Sequence, residues 1–292
     1  MAVKIVTDSS ADLPAPLIKD LDISVVPLYV RFGEQVYRDG TDHVMKDKKT
    51  PNITGDEFYQ RLSTGTIHPS TIQPSPQDFA EVYQKLSKEC TGIVSIHISS
   101  KLSGTYNSAL QGKIGIKDCS IEVIDSQVLS MALGLIVISA AKMAKEGTNL
   151  NDIVTEVNKL VSSVHLTGVL DTLKYVLLGG RIGKAKALLG SLLNVKPVLS
   201  LKDGEVVPAG QVRSRSKGID RLVEIAKGDG NVSELAVVYN TTPEDAVILA
   251  EKIASAKIIN RSKIIVSRVG PMLGVHMGPA ALIVSYLEKQ KE

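Results

Sequence analysis

Short β-branched and aliphatic runs alternate along the chain with longer segments whose apolar residues recur at helical spacing. Residues 3–6, 93–98, 121–124, 164–169, 195–201, 235–239 and 264–266 have the character of buried strands. Residues 56–62, 77–88, 130–145, 213–226 and 243–256 read as helices, and Asn149 or Asn151 opens a further one that runs to Val161. Residues 23–32 read as a strand broken at Pro27, with Gly33 turning it into a hairpin. Asp203-Gly204 makes a second tight turn. This order of strand and helix predicts an α/β fold with largely parallel sheets and helices on both faces.

Three stretches fall outside the pattern. Residues 45–54 are polar and read as an exposed connection. Residues 65–76 carry three prolines within the last eight positions, which speaks against regular structure and for a rigid, hydroxyl-rich loop. Residues 270–279 are rich in glycine, which lets a backbone approach a ligand or another backbone closely. A helix over 170–178 ends at Gly179-Gly180, and another is expected after Lys184, to Leu193. Counting elements divides the chain into two α/β domains, 1–162 and 163–292.

Composition narrows the picture. The 292 residues suffice for two domains. Hydrophobic residues make up 43% of the chain and aromatics only 4%, with no tryptophan, so the interior is aliphatic. A net charge of +3 is too small to argue for nucleic acid. Cys90 and Cys119 have no CxxC or metal-type neighbours and read as two reduced thiols of a cytoplasmic protein. No secretion signal is apparent, and the longest apolar run, 131–141, is too short to cross a bilayer.

The sharpest chemistry lies where the strand 93–98 gives way to a helix starting near Thr105. Between them run Ser99, Ser100, Lys101, Leu102, Ser103 and Gly104. Free N–H groups at a helix start, reinforced by the helix dipole, make a site for an anion. The proline-rich loop offers hydroxyls for a second wall. Arg181 follows paired glycines, and its guanidinium suits a carboxylate or phosphate. Gly183-Lys184 falls short of a phosphate loop, because residue 178 is Leu and residue 185 is Ala. No GxSxG, HExxH or GxGxxG pattern is present, and no metal or cofactor is expected. Ser103 with His276 as base leaves a serine-dependent acyl hydrolase open, and the anion site alone would equally serve a small phosphorylated metabolite. Arg213 to Lys217 form a basic cluster at a helix start, suited to a solvated face or to a docking partner.

Seven segments, in order, resemble the DegV family of bacterial fatty-acid-binding proteins: residues 4–14 (KIVTDSSADLP), 69–79 (PSTIQPSPQDF), 98–109 (ISSKLSGTYNSA), 123–126 (VIDS), 178–182 (LGGRI), 193–199 (LNVKPVL) and 274–279 (GVHMGP). The resemblance implies two α/β domains with one fatty acid held between them and within the first. It places the family's carboxylate-binding threonine on Thr71, its serine on Ser103 with the Gly104 backbone behind it, and its arginine and histidine on Arg181 and His276. It further implies a carrier rather than an enzyme. The carrier presents a long-chain acid to a separate ATP-dependent fatty acid kinase, docked near Arg213 and Arg215, for conversion to acyl phosphate and use in phospholipid synthesis. No cofactor, no nucleic acid and at most transient membrane contact belong to that picture. Ile72 and Ala280 depart from the family pattern, which has serine and often glycine there.

Overall fold

The computed structural model describes residues 3–40, 50–188 and 195–289. The chain begins with β1 (Val3–Asp8), α1 (Ala15–Asp20), β2 (Ile23–Val26), β3 (Tyr29–Phe32), β4 (Gln35–Asp39), β5 (Asn52–Ile53), α2 (Gly55–Thr64), β6 (Ser70–Ile72) and α3 (Pro76–Leu86). It continues through β7 (Gly92–His97), α4 (Thr105–Gly112), β8 (Ser120–Asp125), α5 (Ser130–Lys145), α6 (Leu150–Ser163), β9 (Val164–Val169) and α7 (Lys174–Leu178). The last part holds β10 (Lys196–Lys202), β11 (Glu205–Val212), α8 (Arg215–Ala226), β12 (Val232–Tyr239), α9 (Pro243–Ser255), β13 (Ile264–Arg268), α10 (Pro271–Met277) and β14 (Leu282–Glu288).

The α/β class expected from the alternation is present. One sheet, in the order β2-β1-β7-β8, is parallel throughout, with Ile5 opposite Ile23 and Val94. A small sheet, β5-β4-β3-β6, stands beside it. All later strands join a third sheet, β11-β10-β9-β14-β12-β13. There the expectation of largely parallel pairing needs correction: only β12 and β13 run parallel. The Asp203-Gly204 turn forces β10 and β11 antiparallel. β14, which the sequence reading did not pick out, slots antiparallel between β9 and β12.

Helix α5 packs on β1 of the first sheet and on β12 and β14 of the third. It is apolar around most of its circumference because it is covered on both sides, and every residue from Ser130 to Ile138 is buried. Through it one continuous core reaches from Val3 to Ile136, Ala236 and Ile283. Leu, Ile, Val and Ala dominate that core, as the scarcity of aromatics implies.

Two irregular stretches turn out ordered. Pro69 and Pro74 flank β6 rather than interrupt it, and its proline-free residues pair with β3. In the glycine-rich end, Pro271 occupies the first turn of α10, where a missing N–H costs nothing, and Gly278 ends the helix at φ 70°. Gly274 lies inside that helix because a Cβ there would stand 2.5 Å from the Phe58 ring and 2.8 Å from the Tyr59 hydroxyl. After Gly179-Gly180 the chain makes a 3-10 helix (Gly183–Leu188). The remainder of the helix expected there, to Leu193, lies outside the described residues, as do residues 45–49 of the polar connection.

Candidate functional site

The order β2-β1-β7-β8 sends the chain in opposite directions from the carboxyl ends of β1 and β7. A crevice forms at such a point. A buried polar chain secures it. Asp8 accepts from the Ile98 N–H (3.1 Å) and lies 2.9 Å from His97 Nδ1. His97 Nε2 is 2.7 Å from Ser95 Oγ, which also accepts from the Tyr83 hydroxyl (2.8 Å). These partners have no access to solvent. They hold the end of β7, from which the anion-site segment departs.

In that segment Ser99 Oγ donates to the Gly204 carbonyl (2.8 Å), tying it to the turn between β10 and β11. Ser103 Oγ accepts the Thr105 N–H (3.3 Å) and lies 2.8 Å from Thr105 Oγ1, so it sits over the first turn of α4. Gly104 occupies the N-cap position. A Cβ there would fall 2.1 Å from Gln73 Oε1, so close approach excludes any larger residue without moving Gln73.

The distant residues converge on the same place. Thr71, on β6, has its Oγ1 3.1 Å from Nε2 of His276 on α10. Arg181 Nε donates to the Leu102 carbonyl (3.3 Å) and Nη1 to the Gly179 carbonyl (2.7 Å). Among the described residues its other N–H groups have no hydrogen-bond partner. Thr71, Ser103, Arg181 and His276 all line one cavity, whose other walls are mainly aliphatic, Leu102, Leu166, Leu170, Leu199, Leu273 and Ile283 among them, with Gln73 and Ser200 adding polar groups. Ser103 and Arg181 also border a neighbouring polar cleft lined by Lys101, Gly104, Gly180 and Glu205. These four polar side chains line an apolar cavity, and two of them, Ser103 and Arg181, also face a polar opening.

Burial first, then the Arg181 and His68 charges, lower His276 to about 4, so its imidazole is neutral at physiological pH. Its Nε2 faces Thr71 while Ser103 Oγ engages Thr105. The nucleophile–base contact that a Ser103–His276 hydrolase would need is not formed. The Asp8–His97–Ser95 series has the residue types of a catalytic triad, but it is sealed in the core.

Two further acids support the site and were missed. Asp12 accepts from Ser130 Oγ (2.6 Å) and from the Gly270 N–H (2.8 Å). Asp39 accepts from Ser9 Oγ (2.8 Å) and the Met272 N–H. Both thereby grip the start of α10, the helix that carries His276. Burial, above all else, raises Asp12 to about 8 and Asp39 to about 7. The segment 4–14 held Asp12 in plain view, but nothing local told which distant backbone it serves.

Arg215 is engaged inside the protein. Its guanidinium donates to Asp245 (2.8 Å), Thr242 Oγ1 (2.9 Å) and the Ala280 carbonyl (2.5 Å). Arg213 is exposed. Ala280 sits at φ 59°, a left-handed conformation in which a glycine would be unstrained. Ile72 is exposed on β6 beside Thr71. Cys90 and Cys119 are buried free thiols 3.6 Å apart. Among the described residues no group of three or more His, Cys, Asp or Glu side chains could hold a metal, and no helix is long and apolar enough to cross a membrane.

A family model described as an uncharacterised protein family, DegV, matches residues 2–289. The chain belongs to the DegV family. A DegV domain-containing protein of Caldanaerobacter subterraneus subsp. tengcongensis is 34% identical over 288 residues, covering 98% of this chain and 99% of that one. Among solved structures, a DegV family protein from Thermus thermophilus, described for its fatty acid binding, superposes with a TM-score of 0.89 at 32% identity, covering 99% of this chain and all of that one. DegV from Bacillus subtilis, described as a fatty acid binding protein, gives a TM-score of 0.86 at 28% identity with the same coverage. The fold and connectivity above are those of DegV proteins.

Proposed function

We propose that this DegV protein binds a long-chain fatty acid and presents its carboxylate to a separate ATP-dependent kinase for conversion to acyl phosphate, the form used in phospholipid synthesis. One observation carries the binding half: an aliphatic cavity into which Thr71, Ser103, Arg181 and His276 all converge. A carboxylate beside an apolar tail must be hydrogen-bonded or charge-paired. Two hydroxyls, the Gly104 backbone at the start of α4, and a guanidinium meet that need. Each buried methylene of the tail contributes about 0.8 kcal/mol, so the aliphatic walls supply most of the affinity. Those walls favour an acyl chain over a small phosphorylated metabolite, whose polar body would leave them uncompensated. Two relatives of the same fold described as fatty-acid-binding support this reading.

The kinase half rests on family resemblance. In this reading the protein is a cytoplasmic carrier that needs no cofactor. Residues 1–162 form the domain bearing the carboxylate site, residues 163–292 close over it, and Arg213 is an exposed cation on the kinase-facing surface. The paired variant Thr71→Ala/Ser103→Ala tests the proposal. Two hydrogen bonds to a charged group are each worth about 1.5–3 kcal/mol, so fatty acid affinity should fall by roughly 100-fold or more. Kinase-dependent formation of acyl phosphate, trapped as the hydroxamate, should fall with it. Unchanged values in both assays refute the carboxylate assignment.

A further inference from the structure

The imidazole of His276 has one nitrogen in use and one without a partner. Nε2 lies 3.1 Å from Thr71 Oγ1, whereas Nδ1 is buried and meets neither donor nor acceptor. The ring is neutral, so a single hydrogen must reside on one of the two. A buried N–H without an acceptor is rarer and costlier than an acceptor left short of a donor. The hydrogen therefore sits on Nε2 and is donated to Thr71 Oγ1. Thr71 then has its own hydroxyl hydrogen to give to an acceptor in the cavity. With the hydrogen on Nδ1 the polarity would reverse. Thr71 would donate to Nε2 and turn only lone pairs towards a ligand oxygen.

The residue facing Nδ1 is Gly179. A Cβ at that position would fall 2.0 Å from Nδ1 and 2.8 Å from Cε1 of the ring. Gly179 has φ −73° and ψ −8°, a right-handed conformation open to any residue. Backbone freedom thus does not account for the glycine, but contact with the imidazole does. The Gly179 carbonyl also accepts from Arg181 Nη1 (2.7 Å), so one residue braces both distant members of the site.

We infer that Gly179 is a positioning residue: its bare Cα lets the His276 ring lie with Nε2–H towards Thr71, which aims the Thr71 hydroxyl hydrogen at a ligand oxygen. Only the identity of that ligand, a fatty acid carboxylate, rests on the function proposed above. The test begins with the unliganded full-length protein. Long-range ¹H–¹⁵N correlation spectra should show His276 protonated on Nε2 and bare on Nδ1. Gly179→Ala should keep the fold by circular dichroism yet abolish that pattern, because the ring must turn away. Palmitate affinity should drop about tenfold or more, the loss of one hydrogen bond to a charged group. In a His276→Ala background, adding Gly179→Ala should cost nothing further, since the ring it would strike is gone. A wild-type ring protonated on Nδ1 overturns the inference, and so does an equal loss of affinity in both backgrounds. If the wild type takes up no palmitate but the spectra behave as stated, the ligand reading falls and the role of Gly179 stands.

Discussion

Asp12 gives the most quantitative handle on how the site is held. Its carboxyl is raised from 3.8 to about 8 chiefly by burial, although Ser130 Oγ and the Gly270 N–H both donate to it. Between about pH 5.5 and 7.5, an unfolded Asp12 has released its proton while the folded one largely keeps it. Stability from this group is therefore fully present below pH 3.8. It declines as pH rises, by about 1.4 kcal/mol per pH unit, until the folded group ionises near pH 8. Asp12→Asn mimics the protonated acid, with an amide that can meet the same two partners, and has nothing to titrate. Between pH 5.5 and 7.5 the wild type should lose about 3 kcal/mol relative to the variant, less a part for the onset of ionisation. Urea unfolding of both proteins at fixed ionic strength reads this difference directly. Asp39, raised to about 7, acts in the same direction. His276, lowered to about 4, acts oppositely and loses stability as pH falls from 6.5. His276 is common to the two proteins and cancels in the comparison, and Asp39, whose charge acts on Asp12, cancels as long as Asp12 stays protonated. Parallel pH profiles for wild type and variant would refute the reasoning that a protonated Asp12 anchors α10.

Ala280→Gly should stabilise the protein by about 1 kcal/mol, because it relieves a left-handed alanine at φ 59°; a lower melting temperature would contradict this. Arg215→Ala removes three hydrogen bonds from a half-buried guanidinium and should cost about 2 kcal/mol in urea unfolding. Arg213→Ala, at an exposed position, should change stability by less than about 0.5 kcal/mol. It should nonetheless lower kinase-dependent acyl phosphate formation at unchanged fatty acid affinity, and an unchanged rate would remove Arg213 from the docking surface.

Local pattern made the parallel sheet legible, because its strands are continuous apolar runs and helices separate them. It misled for the third sheet, where pairing direction is set by partners distant in sequence. β14, at Leu282–Glu288, is as apolar as any strand but followed glycines that drew the reading towards a loop. Prolines and glycines were over-read as breakers: Pro69 and Pro74 bound β6, and Gly270 and Gly278 bound α10. Within the site, residue types at the start of α4 announced an anion unaided. Arg181, His276 and the hydroxyl-rich loop each stood out by residue type, but only family resemblance singled out Thr71 and joined the three in one site, since Thr71 and His276 lie 205 positions apart. The supporting roles of Asp12 and Asp39 escaped notice, and Gly179 was read only as a helix stop ahead of Arg181, because these roles depend on what packs against them.

Organic extraction of the purified protein, followed by mass spectrometry, bears most directly on the claim that the cavity holds a fatty acid. The account predicts a long-chain fatty acid at about one per chain, or stoichiometric uptake of added palmitate by stripped protein, reduced in Arg181→Ala. An extract without fatty acid, from a protein that also fails to take up added palmitate, would contradict it.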